Sequence, residues 1–186
     1  MSVVAITGYK NYELGISKNN DPAISYIKMA IKKNYFLLLK KDMNWVLISG
    51  QLGIEMWAAE VVFDLQLEHP DLKLAILTPF LNQEKNWNET NKEYYETICM
   101  QSDFVESISQ KEYESPEQFR QKTILFIEKS NASIVVYDTE RDGFPKFYMD
   151  LVKRYQEKHE YECRMITFHD LQLIVEEEQE KTRDFY

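Results

Sequence analysis

Short β-branched runs alternate along the whole chain with longer stretches of helical spacing, and nearly every run is stopped by Gly, Pro or Asp. Residues 3–7 halt at Gly8, and 45–48 break at Ser49-Gly50. Residues 72–77 stop at Thr78-Pro79, and 133–137 stop at Asp138. Brief continuous apolar runs bounded by turn residues are what strands buried on both faces look like. Between them Ile24, Ile27, Ile31, Tyr35 and Leu38 recur at helical spacing, as do Ile54, Trp57, Ala58, Val61, Val62 and Leu65. Each set forms one apolar stripe on a helix.

Helix starts are marked locally. Asp21-Pro22 supplies an N-cap with Pro at the first helical position. Ser115-Pro116-Glu117-Gln118 has the pattern of a capping box, opening a helix that buries Phe119, Phe126 and Ile127. Further helices are expected over 83–100, from 143–147 onward, and from about 170 as an acidic terminal helix. Strands are expected over 103–108 and 164–167. Parallel strands need a crossover between them, most often a helix. The alternation therefore predicts a Rossmann-like α/β fold, a three-layer sandwich with a mostly parallel central sheet and helices on both faces.

With 186 residues, 44% hydrophobic and 28% charged, the chain is expected to form one domain over 1–186 with its own core. The first residues lack the basic flank and apolar region of a signal peptide, and no stretch approaches the ~18 apolar residues of a membrane span. A cytoplasmic protein with no membrane partner is the expectation. Cys99 and Cys163 have no CxxC or His companion spacing, so they read as free thiols, and no metal site is expected. The net charge of −9 argues against nucleic acid as a partner, because that affinity is dominated by Lys and Arg on phosphates.

In parallel α/β sheets ligands bind at the carboxyl ends of the strands. The first loop there is Ser49-Gly50-Gln51-Leu52-Gly53-Ile54-Glu55, between a strand and a helix. Gly50 and Gly53 permit tight turns and close approach, and the helix opening near Gly53 points free N–H groups at a phosphate. Glu55 is assigned to ribose hydroxyls, since a carboxylate repels phosphate. A tight turn with a dipole-favoured acid accounts for the same residues. The second loop offers Thr7, Gly8 and Lys10 as hydroxyl, amide and ammonium donors, or simply a turn followed by a solvated lysine. The third spans 138–146, with Asp138, Glu140, Gly143 and Lys146 as ligand contacts or as an ordinary charged surface loop. The fourth places Phe80 or Trp87 to stack on a base and Gln83 or Asn88 to read its edge, with core packing as the alternative.

The strings TGYKNYELGI, SGQLGIEMWAAEVV and VVYDTERDG, with Pro79-Phe80, Gln83-Glu84 and Trp87-Asn88-Glu89, resemble the YpsA family of Firmicutes over essentially the whole chain. That family belongs to the SLOG superfamily of Rossmann-like proteins, with DNA-processing protein A and the Lonely Guy phosphoribohydrolases. The resemblance implies a nucleotide or ADP-ribose-like ligand, a link to cell-division control with a protein partner there, and Gly53 with Glu55 as the pair to inspect. The segment also resembles the SG-x-A-x-GID-x-x-AH motif of DNA-processing proteins, with Glu55 in place of Asp and Glu60 in place of His. The chain reads YDTERDG where hydrolytic relatives carry PGGxGTxxE, which departs from N-glycosidic hydrolysis. The leading expectation is a nucleotide-type ligand sensor or binding protein acting in growth or division. The alternatives are an enzyme acting on a nucleotide or nucleoside phosphate, in which Glu55 aids departure of the base, and a DNA-binding module.

Overall fold

The structure, a computed structural model, describes residues 2–39 and 42–186. In chain order the elements are β1 (Val3–Gly8), a 3-10 turn (Asn11–Leu14), α1 (Pro22–Leu39), β2 (Trp45–Ile48), α2 (Ile54–Gln66), β3 (Lys73–Thr78), α3 (Glu89–Gln101), β4 (Phe104–Ser107), α4 (Glu117–Lys129), β5 (Ala132–Val136), α5 (Pro145–Gln156), β6 (Glu162–Ile166) and α6 (Phe168–Arg183). The six strands form one sheet in the order β4-β3-β2-β1-β5-β6, and every neighbouring pair is parallel. The α/β class is as the alternation predicts.

The chain steps outward from β1 to β4 and returns through α4 to β5, on the other side of β1. Strand order therefore reverses between β1 and β5, where diverging connections leave a crevice. Helix α1 packs on α2 and α6, α2 also on α3, and α4 on α5, giving a helical layer on each face. Central strands are mostly apolar because both faces are covered: β5 is buried along its whole length. No described helix is long and apolar enough to cross a membrane.

Three starts differ from the sequence reading. Residues 83–88 form turns rather than the first part of a helix. Asn82 adopts a positive φ of 55°, and the Asn88 side chain caps α3 by accepting from the Asn91 N–H at 2.8 Å. Asn favours left-handed turns and N-caps, so the helix starts only after the second of them. At α4 the cap position is Pro116, with no side-chain cap bond. Gln118 instead reaches back, its Oε1 accepting from the N–H groups of Glu114 (2.7 Å) and Ser115 (3.2 Å). Helix α6 starts at Phe168, because Thr167 and Asp170 form a reciprocal capping box two residues before the expected entry.

Candidate functional site

Glu55 lies in the first turn of α2 and is 2% exposed. Its Oε1 accepts from the Ser49 N–H (2.6 Å) and the Ser49 hydroxyl (2.8 Å), and its Oε2 accepts from the Thr7 hydroxyl (3.1 Å). One carboxylate thus joins the ends of β1 and β2. The oxygens expected to meet ribose are engaged by the scaffold.

Gly53 has φ +97°, and a Cβ added there would fall 2.5 Å from the Asn11 nitrogen and 2.7 Å from the Tyr9 carbonyl oxygen. The loop after β1 lies directly against it. The Ile54 N–H donates to the Tyr9 carbonyl at 3.2 Å, so this N–H of the α2 terminus is aimed at backbone. Close approach is what Gly53 permits, but the approaching group is the chain itself. Gly8 plays the same part against α2, where a Cβ would meet the Ile54 side chain at 2.7 Å.

Tyr9, Glu13 and Arg141, none of them among the expected ligand contacts, clamp the loops after β1 and β5 together. The Tyr9 hydroxyl donates to the Arg141 carbonyl (2.6 Å) and accepts from the Asp138 N–H (3.0 Å). Glu13 accepts from the Lys10 N–H (2.8 Å) and the Phe144 N–H (2.9 Å), and the Arg141 guanidinium donates to the Glu13 carbonyl. The Asp138 carboxylate accepts from the N–H groups of Glu140 (2.9 Å) and Phe168 (3.1 Å). Gly143 packs on Glu13 and Tyr9. Glu140 and Lys146 are exposed, and Lys146 lies 3.9 Å from Asp142.

Between the first turns of α4 and α5, above Thr7, lies a cavity of about 430 Å³. Phe119, Phe144, Phe147, Tyr148 and Leu151 form its apolar walls, with Arg120, Lys122 and Arg154 as its cations. Lys122 is 3% exposed and, among the described residues, makes no hydrogen bond or ion pair. Its Nζ lies 5.3 Å from the Phe126 ring centre and 5.8 Å from that of Phe144. Lys10 Nζ stands 4.3 Å from the same Phe144 ring. Burial lowers the Lys122 ammonium from its ordinary value, opposed by Glu55 and reinforced by Lys10. Lys10 is also lowered by burial, against the pull of Glu13 and Glu55.

A second cavity, of about 520 Å³, lies over the end of β3. Phe80, Gln83, Trp87 and Tyr113 line it, and Phe119 borders both cavities. Gln51 donates to the Gln83 side-chain carbonyl at 3.0 Å, while Gln83 donates to the Ser49 carbonyl at 2.8 Å. These amides tie β2 to the loop after β3. Gly50 turns beneath them with φ +84°. Phe80 meets Phe119 edge to face at 5.4 Å, and Trp87 meets Tyr95 similarly at 5.4 Å. Among the described residues no His, Cys, Asp and Glu group is arranged to hold a metal ion.

A buried, unpartnered lysine has a consequence for stability. Removing an ill-compensated buried charge in favour of an apolar side chain typically stabilises by ~1–4 kcal/mol. Lys122→Met is therefore expected to melt roughly 2–16 °C above wild type without ligand. The unfolded chain binds the extra proton between the lowered folded value and ~10.5, so wild-type stability rises with pH across that window and the gap narrows. Calorimetric melting of both proteins from neutral to alkaline pH checks both parts, and a less stable Lys122→Met would refute them.

An all-parallel sheet with a crevice at its point of strand reversal defines a class, the Rossmann-like α/β domains. Within it, the YpsA family model, described as the YspA SLOG family, matches residues 4–171, and the chain belongs to that family. It is 53% identical over 179 residues to a UPF0398 protein of Bacillus cereus (strain B4264), covering 96% of this chain and 97% of that one. A UPF0398 protein of Bacillus thuringiensis (strain Al Hakam) is 52% identical with the same coverage.

Proposed function

We propose that the chain binds a nucleotide or ADP-ribose-like ligand over the ends of β1 and β5, as a ligand-responsive protein acting in growth or division. One observation carries the reading: a cavity of about 430 Å³ at the strand reversal that combines aromatic walls with Arg120, Lys122 and Arg154. Concave, mostly apolar pockets with a few convergent polar groups are the usual form of a small-molecule site. Aromatic faces suit a base, and cations suit its phosphates. Thr7 and Phe144 line this space, and Lys10 Nζ stands 4.3 Å from the centre of the Phe144 ring. The link to growth or division rests on the family resemblance.

A ligand at ~100 times its dissociation constant stabilises the folded state by about 2.7 kcal/mol. For a chain of this length that is a rise of roughly 5–10 °C in melting temperature. The panel is NAD, ADP-ribose and the nucleoside mono-, di- and triphosphates, with product analysis on any that shift the curve. Flat melting curves throughout would remove the reading.

A further inference from the structure

Resting on that reading, we infer that Lys122 seats the ligand's phosphoryl group, between α4 and α5 rather than at the glycine turn before α2. The apolar stripe of α4 runs through Phe119, Thr123, Phe126 and Ile127, and Lys122 occupies a position on the same face. Helical spacing calls for an apolar residue there. Lys122 instead lines the cavity, with its side chain buried, its Nζ keeping some accessible surface and no hydrogen-bond or ion-pair partner among the described residues. A charge that opens on a mostly apolar cavity without a partner from the protein suits an anionic ligand.

Charge around the Phe144 ring supports this. Lys10 and Lys122 both approach that ring, and both feel the Glu55 carboxylate, which Ser49 and Thr7 already hold. Glu13 compensates Lys10 on its own loop, whereas the one carboxylate acting on Lys122 is Glu55, whose oxygens are already engaged. Farther out, Arg120 pairs with Glu117 at 3.4 Å, while Arg154 and Asp150 complete the charged rim. A cation at the floor and arginines at the mouth fit a chain of phosphoryl groups, the outermost facing the rim. At the turn before α2, by contrast, the Tyr9–Asn11 backbone fills the space that a phosphate needs.

Proton linkage distinguishes an anchor from a spectator. The lysine is easier to deprotonate in the empty cavity, so anion binding must hold or recapture its proton. Wild-type affinity should then fall as pH rises through the lowered value of the empty-cavity lysine toward ~10.5, with proton uptake visible in buffers of different ionisation heat. Glu55, Lys10, Glu117, Arg120, Tyr148, Asp150 and Arg154 are the other titratable groups facing this space, and they remain in the variants below.

The experiment is calorimetric titration of the full chain with ADP and, separately, inorganic pyrophosphate. Wild type is compared with Lys122→Met, Lys122→Gln and the remote surface variant Lys181→Met. Both Lys122 substitutions should weaken ADP binding roughly ten- to a hundred-fold and abolish proton uptake, while Lys181→Met binds as wild type. Gln keeps the polarity and length, so a loss shared with Met is a loss of charge, and melting curves show that each variant is folded. ADP bound equally by wild type and both Lys122 variants would overturn the inference while leaving the nucleotide reading intact. Pyrophosphate binding that depends on Lys122, with no nucleotide bound, would support the anion seat and remove the nucleotide reading. Neither probe bound by wild type would overturn both.

Discussion

Glu55→Ala is expected to lose about 3–5 kcal/mol of stability, the cost of taking one partner from a buried charged network. For this chain length that lowers the melting temperature by roughly 6–20 °C. The carboxylate is 2% exposed and accepts three hydrogen bonds, two from Ser49 and one from Thr7. Its loss leaves the Ser49 N–H and two hydroxyls without their acceptor, and leaves Lys10 and Lys122 with less compensation. Glu55→Gln is gentler, because one amide oxygen still accepts. Its NH₂ group then faces the Thr7 hydroxyl, which must turn from donor to acceptor. On sequence grounds Glu55→Gln isolates a contact to ribose, with stability almost unchanged. In this geometry it also weakens the joint between β1 and β2. Denaturant titrations give the answer directly, and a Glu55→Ala protein within about 1 kcal/mol of wild type would dismiss the network as incidental.

The sheet was legible in the sequence because it depends on local signals. Strands β1, β2 and β3 end at or beside Gly8, Ser49-Gly50 and Pro79, and the Asp21-Pro22 start became α1 at Pro22. The same rule that sends ligands to strand ends pointed to Thr7, Lys10, Ser49, Gly53 and Glu55, which the fold brings together. Glu140 and Lys146 followed the same rule and lie exposed, because the loop after β5 turns them outward while Asp138 holds its base. What escaped is non-local. Glu13 acts by bonding Phe144, a residue 131 positions away, and no spacing rule reaches that far. Lys122 had a readable signal, a lysine where the α4 stripe demands an apolar residue. Helical spacing by itself reads that stripe as core, and it lies outside the strand-end loops to which the ligand rule points.

Gly53→Ala carries the other large effect, and it decides what the glycine turn is for. With φ at +97°, any L-residue there is strained, and the new methyl group would strike the Asn11 nitrogen, the Tyr9 carbonyl oxygen and the Lys10 carbonyl carbon within 2.5–2.8 Å. All three are backbone atoms, so no side chain can rotate away, and the loop after β1 must move. Strain at such a φ together with overpacking amounts to about 2–5 kcal/mol, or roughly 4–20 °C in melting temperature. The displaced loop includes the Tyr9 carbonyl that receives the Ile54 N–H, and Lys10 beside Phe144. Exchange of the Ile54 amide should therefore accelerate, and ligand affinity should fall along with stability. Lys122→Met is expected to do the reverse on one axis, gaining stability while losing affinity. A glycine that served the phosphate directly would behave differently again: Gly53→Ala would lose affinity with its melting temperature and Ile54 exchange unchanged. Melting, amide exchange and ADP titration on these two variants separate a turn that positions the first loop from one that holds the ligand.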